Sequence, residues 1–292
     1  MRKIARVLFL SLALFTLPSA AFAWAETGHM LISLIAYQRL NPTAKARVDT
    51  LTKTIRFAGK TYDGTTLGVW MDDIKADSMH DDMRVWHYID IPIFDGVPVD
   101  PAFKYDDENV VARIKWATET LRKGTGSDKH DAELLGYLFH LVGDVHQPLH
   151  SATRVTAKNP KGDAGGNGFK LAGVPDNLHW YWDDAAGAFN FWSPQRPLND
   201  RDRRLLEDFA RALTAEFPAD KNPEWQETDP GKWAQESHVL AATVAYTLPE
   251  NSTPTDEYNA RARAIARKRI TLAGYRLAQI INSIYPEIKP GE

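Results

Sequence analysis

The stretch Ala132-Glu133-Leu134-Leu135-Gly136-Tyr137-Leu138-Phe139-His140-Leu141-Val142-Gly143-Asp144-Val145 runs directly into His146-Gln147-Pro148-Leu149-His150. Apart from its ionisable residues it is almost wholly apolar, so it predicts a buried central helix and not a surface one. Pro148 brings no amide hydrogen and ends it. His140 and Asp144 are four residues apart, which puts them on one face on neighbouring turns. In so apolar a helix neither group can stay unsatisfied. A buried imidazole–carboxylate hydrogen bond would satisfy both without a metal; alternatively, the pair is half of a zinc site.

Residues further along favour the second arrangement. His150 stands just beyond the helix stop, and Asn177-Leu178-His179-Trp180-Tyr181-Trp182-Asp183 repeats the four-residue His–Asp spacing. Two such pairs suggest more than one ion. His146 is two residues from Asp144, points elsewhere on the helix, and is read as a supporting or packing residue. Upstream, Trp70-Met71-Asp72 and Trp86-His87-Tyr88-Ile89-Asp90 add another carboxylate and imidazole. Taken singly, Asp72 reads equally as a surface carboxylate and His87 as a strand residue. Residues 151–178 form a long connection containing Lys161-Gly162-Asp163-Ala164-Gly165-Gly166-Asn167-Gly168. A loop of that length joining two candidate ligand pairs is expected to be functional.

The remainder reads as mainly α, in one compact multi-helix domain. Helical apolar spacing runs over Met30–Leu40, Asp107–Arg122, Leu205–Phe217, Trp233–Tyr246 and Tyr258–Ile284, and Asn41-Pro42-Thr43 opens a further helix. A short extended piece is expected at Trp86–Pro92. Residues 1–23 read as a secretory signal, with Arg2, Lys3 and Arg6 before the apolar run Val7–Leu17 and Ala21-Phe22-Ala23 as the cleavage motif. Residues 24–292 are then the mature domain, in the periplasm or secreted from a bacterium. The chain has no cysteine, so any metal site must be built from nitrogen and oxygen. No segment is long enough to span a bilayer, and no amphipathic membrane face is evident.

Net charge is −3 for the whole chain; without the three basic residues of the signal it is −6. That excludes the basic face by which proteins usually grip duplex DNA. An anionic substrate would need positive charge from outside the sequence, and metal ions are the obvious source. Cleavage after Ala23 would also free the α-amino group of Trp24. With an ordinary pKa of about 7.7–8.0, that amine can yield its proton to a metal near neutral pH. His29 follows within reach of the same ion.

Trp24…His29, Trp70-x-Asp72, Trp86-His87, His140-x3-Asp144-x5-His150 and His179-x3-Asp183, with Gly165-Gly166-Asn167 between, together resemble the S1/P1 nuclease family over essentially the whole mature chain. The resemblance implies the phospholipase C/P1 nuclease type of all-α fold and three zinc ions. It implies that Asp72, His87, His140 and Asp144 hold one ion. Trp24, His29 and a bridging Asp144 would hold a second, and His150, His179 and Asp183 the third. It also implies Tyr88 as a base-stacking position, Asp90 as a partner of the base or an organiser, and Asn167 as a base-edge contact. Lys75 stands where relatives can carry a phosphate-binding arginine, but it is a point charge without the fork of a guanidinium.

The reaction expected from such a site is attack on phosphorus by water that zinc has deprotonated, with no side-chain nucleophile. Its products would be 5′-phosphates, from single-stranded DNA and RNA, with 3′-nucleotides as further substrates and no obligate protein partner. Three zinc ions against three ligand aspartates leave the pocket positive inside an acidic protein. Stacking on Tyr88 requires an unpaired base and is worth roughly 1–3 kcal/mol per base. The competing expectations are a zinc phospholipase C-like phosphodiesterase and a non-catalytic periplasmic zinc-binding protein. The first would act on lipid headgroups, and the second would take up metal without turnover.

Overall fold

A computed structural model describes residues 24–75, 77–189 and 194–287; the expected signal, residues 1–23, lies outside the described residues. The long helices in chain order are α1 (Glu26–Gln38), α2 (Pro42–Leu51), α4 (Val110–Lys123), α5 (Asp128–Asp144), α7 (Asp200–Glu216), α8 (Pro230–Thr243) and α9 (Asp256–Ile284), with the short α3 (Trp70–Ile74) and α6 (Leu178–Asp183) between them. Strand is confined to two small pairs. In one, β1 (Arg56–Phe57) runs antiparallel to β2 (Lys60–Thr61). In the other, β3 (Pro92–Phe94) runs parallel to β4 (Thr153–Val155), with Ile93 opposite Arg154. The protein is mainly α, as expected.

Among the described α-helices, all but α1 and α3 begin at a residue whose side chain caps the first turn. The Asn41 side chain accepts from the Ala44 amide with Pro42 at the first helical position, and Asn109 accepts from Val111 and Ala112. Asn177 does the same for Trp180 at the start of α6. Helix α5 is the buried one: from Ala132 to Asp144 every residue but Glu133 is buried. It packs against α1, which is buried from Thr27 to Ala36 and is flanked by α7 and α9 as well. That accounts for both being apolar all round. The main core gathers α1, α2, α4, α5, α7 and α9. A second cluster around Leu149, Phe169, Trp182 and Tyr258 lies beneath α6 and the end of α8.

The extended piece expected at Trp86–Pro92 is displaced. Residues Ser78–His87 form 3-10 turns with a break at His80, and the strand starts only at Pro92. Its pairing partner β4 lies inside the long 151–178 connection, so that loop is tied down near its start. Between the two, the Ile89 amide donates to the His150 carbonyl at 2.8 Å and Thr153 to Ile91 at 3.0 Å. These bonds bring Tyr88–Ile91 alongside the segment that follows α5. Among the described residues, no helix is long and apolar enough to cross a membrane.

Candidate metal centre

Eight imidazole and carboxylate side chains from six regions of the chain converge in the interior. His29 comes from α1, Asp72 from α3, His87 from the end of the 3-10 turns, and His140 and Asp144 from α5. His150 comes from the turn after Pro148, and His179 and Asp183 from α6. All eight are at most 7 % exposed. Their ligand atoms fall into three sets, each within 4.8 Å: His29, His140 and Asp144; Asp72, His87 and His140; His150, His179 and Asp183. Asp144 reaches both of the first two sets. Its Oδ1 is 3.4 Å from His29 Nε2, while its Oδ2 is 3.0 Å from His87 Nδ1 and 3.2 Å from His140 Nε2. In the third set, Asp183 lies 3.5 Å from His179 Nε2 and 3.8 Å from His150 Nε2.

Metal-free hydrogen bonding does not satisfy this arrangement. His140 Nδ1 donates to the Gly68 carbonyl at 2.6 Å, His150 Nδ1 to the His87 carbonyl at 2.7 Å, and His179 Nδ1 to the Gly165 carbonyl at 2.7 Å. A neutral ring with its hydrogen on Nδ1 presents a lone pair at Nε2, and these Nε2 atoms face carboxylates and other imidazoles. His140 Nε2 and His87 Nδ1 are 3.0 Å apart, and the rings of His29 and His140 stack at 4.0 Å. Both nitrogens of His29, Nε2 of His87, His150 and His179, and Oδ1 of Asp144 are buried without a hydrogen-bond partner. Buried polar atoms without partners are costly. A cation among them would satisfy donors of this kind, and an all-nitrogen-and-oxygen set of imidazole and carboxylate suits zinc.

The electrostatics agree. Burial, and then the neighbouring His140, pushes His29 down to about 3; burial with Lys75 takes His87 to about 4, and burial with His150 takes His179 to about 3. These rings are neutral at neutral pH, the state a metal requires. Burial opposes charge on His140 and on Asp144 as well, yet their mutual attraction outweighs it. His140 is raised by Asp144 and Asp72, and Asp144 is held well below the usual carboxylate range by His140 and His87. The carboxylates therefore call for positive charge at that point. Asp183, by contrast, is pushed well up by burial and by the nearby Asp144 and Asp72, against the opposing pull of Gln147 and Lys75.

Trp24 lies at the same place. Its indole Nε1 donates to the Gly143 carbonyl at 3.0 Å and the Ala25 amide to the Asp183 carbonyl at 2.7 Å, so the start of the described chain is pinned between the ends of α5 and α6. Gly143 must be glycine: a Cβ there would meet His29 Nδ1 at 2.9 Å. Gly165, with φ of 62°, turns its carbonyl to His179 where a Cβ would lie 2.5 Å from the Leu149 carbonyl.

The other site residues are less concentrated. Lys75 donates to Asp72 Oδ1 at 2.8 Å with its side chain 9 % exposed, so it neutralises a member of the cluster. Tyr88 is half-buried and outside both apolar clusters. Asp90, also half-buried, is pushed up to about 6 by burial and by Asp163. The Asn167 amide donates to the Ala164 carbonyl within its own turn. Sequence reasoning missed Gln147, which is fully buried and donates from Nε2 to Asp183 Oδ1 at 2.7 Å. An amide between two candidate ligands, just before a proline, was the available signal.

Known proteins are similar to this chain across nearly their whole length. Nuclease S1 of Aspergillus oryzae (strain ATCC 42149 / RIB 40) is 26 % identical over 96 % of this chain and 98 % of its own. Endonuclease 1 of Arabidopsis thaliana is 27 % identical over 96 % and 93 %, and Nuclease P1 of Penicillium citrinum 23 % over 90 % and 98 %. The S1/P1 Nuclease family model matches residues 24–286, the span that holds every member of the buried cluster. The chain therefore belongs to the S1/P1 nuclease family.

Proposed function

We propose that this nuclease is a zinc-dependent phosphodiesterase, exported after cleavage at Ala23/Trp24, that cuts single-stranded DNA and RNA to 5′-phosphate products and also acts as a 3′-nucleotidase. The observation that carries the reading is the set of buried, partnerless imidazole and carboxylate atoms in three groups. Asp72, His87, His140 and Asp144 would hold one zinc. Trp24, through its terminal amine and carbonyl, would hold a second with His29 and Asp144, and His150, His179 and Asp183 the third. Zinc there would supply Lewis-acid chemistry, polarising the phosphodiester and acidifying water.

The chain's own residues would hold that chemistry in place. The Gly68, His87 and Gly165 carbonyls orient three of the rings. Lys75, with Asp72 at 2.8 Å, would keep that carboxylate oriented and offset its negative charge near an anionic substrate. Tyr88 would stack on an unpaired base, with Asp90 and Asn167 reading its edge; duplex DNA keeps its bases stacked and cannot offer that face. The test is hydrolysis of single-stranded DNA, RNA and 3′-nucleotides against phosphatidylcholine vesicles, before and after chelation and zinc add-back. Hydrolysis of the nucleic acids, lost on chelation and regained with zinc, supports the reading. Cleavage of lipid alone, or zinc uptake without any turnover, overturns it.

A further inference from the structure

Helix α5 ends at Asp144, where the Val145 amide donates to Leu141 O at 3.0 Å and the Gln147 amide to Asp144 O at 2.9 Å, while the carbonyls just beyond the helix are met by side chains from distant parts of the chain. Val142 O receives His146 Nδ1 at 2.7 Å, and Gly143 O receives the His146 amide and the Trp24 indole, both at 3.0 Å. Val145 O receives Ser237 Oγ at 2.6 Å and His146 O receives Arg269 Nε at 3.1 Å. Ser237 and Arg269 are joined in turn, since Arg269 Nη2 donates to Ser237 Oγ at 2.8 Å. Glu236 accepts Arg269 Nη1 at 2.7 Å and takes both Nη atoms of Arg276 at 2.7 Å. Arg276 Nη1 also donates to His146 Nε2 at 2.9 Å, which fixes His146 as a neutral ring.

Arg276 and His146 are fully buried and Arg269 is 4 % exposed. Two buried guanidiniums whose shared carboxylate, Glu236, is still 35 % exposed are an expensive way to gain stability, because the cost of removing their charges from water offsets much of the attraction. Their location accounts for them better. They hold the backbone between Asp144, which faces the first two ligand sets, and His150, which belongs to the third. Positive charge at the C-terminal end of α5 also complements the partial negative charge of its carbonyls.

We propose that Arg269, Arg276, Glu236, Ser237 and His146 are positioning residues that set the placement of His150 relative to Asp144, and so tune metal affinity at the third set. This rests on the zinc reading above. Supporting groups one step removed from a ligand typically change metal affinity by roughly 10–100-fold. Arg269→Met keeps the bulk and removes the donors, and Ser237→Ala removes one hydroxyl.

The experiment is competition of the mature chain's zinc against a chelator of known affinity, below the melting temperature of each variant, with helicity followed by circular dichroism. The wild-type chain should bind three zinc. R269M should keep its helicity while one of its three zinc, the one that H179A loses, loosens by roughly 10–100-fold, and S237A should loosen that same zinc by about tenfold. Folded variants that bind all three zinc with wild-type affinity, however much lower they melt, overturn the proposal. If R269M does not fold, S237A alone decides. A wild-type chain that binds no zinc instead rejects the functional reading, which keeps the two failures apart.

Discussion

Asp144 Oδ1 faces His29 across 3.4 Å, while Oδ2 faces His87 and His140 at 3.0 and 3.2 Å. One carboxylate thus faces two ligand sets, one with each oxygen. D144A should lose more than one zinc and roughly a thousandfold or more in kcat/KM on single-stranded DNA. Metal analysis with steady-state kinetics checks both, and full zinc occupancy in the variant would contradict the bridging role. Asp90 gives a prediction in pH. Its carboxyl is raised to about 6 in the folded chain, first by burial and then by Asp163, against 3.8 as the ordinary value. The folded state therefore binds the proton more tightly than the unfolded one. The stability this contributes is complete below 3.8 and is lost as pH rises through 6. Melting of D90N compared with wild type should show the variant gaining as pH goes from 4 to 7; a difference constant across that range would argue against a raised Asp90.

At the scale of elements, α6 is only Leu178–Asp183, yet it carries both His179 and Asp183. A helix that short depends on its cap, and Asn177 accepts from the Trp180 amide at 2.9 Å. N177A should cost about 1 kcal/mol in denaturant unfolding and weaken zinc at the third set, with the other zinc sites spared. Equal loss at all sites would mean the cap acts on global stability alone. Elements also divide what was legible in the sequence from what was not. The i, i+4 pairs on α5 and α6 could be read because helical periodicity puts both members on one face. The strand at Trp86–Pro92 was misplaced because consecutive 3-10 turns leave no periodic signature, and the pairing that fixes β3 lies across the chain on β4. Gln147, the carbonyls behind the histidines, and the Arg269–Glu236–Arg276 frame act through contacts between residues far apart in sequence, so no local pattern announces them.

At the scale of the whole molecule, the cluster lies where α1, α5 and the end of α6 meet, packed between two apolar cores. Without a cation, that interior holds partnerless imidazoles and a carboxylate, so bound metal and folding free energy should be coupled. Chelated protein should melt lower than the zinc form, and its melting temperature should climb with added zinc; a ligand at 100 times its Kd stabilises by about 2.7 kcal/mol. A melting temperature indifferent to zinc would leave the buried donors unexplained. On the zinc reading proposed above, an acidic nuclease draws its positive field from bound ions, which makes metal content a direct measure of it. The decisive measurement is zinc per chain in protein prepared to begin at Trp24, taken on the sample whose cleavage of single-stranded DNA is assayed. Three zinc per chain, with activity that falls as they are removed, is the expected result. Full activity in a sample holding fewer than one zinc per chain, with no other divalent metal, would contradict it.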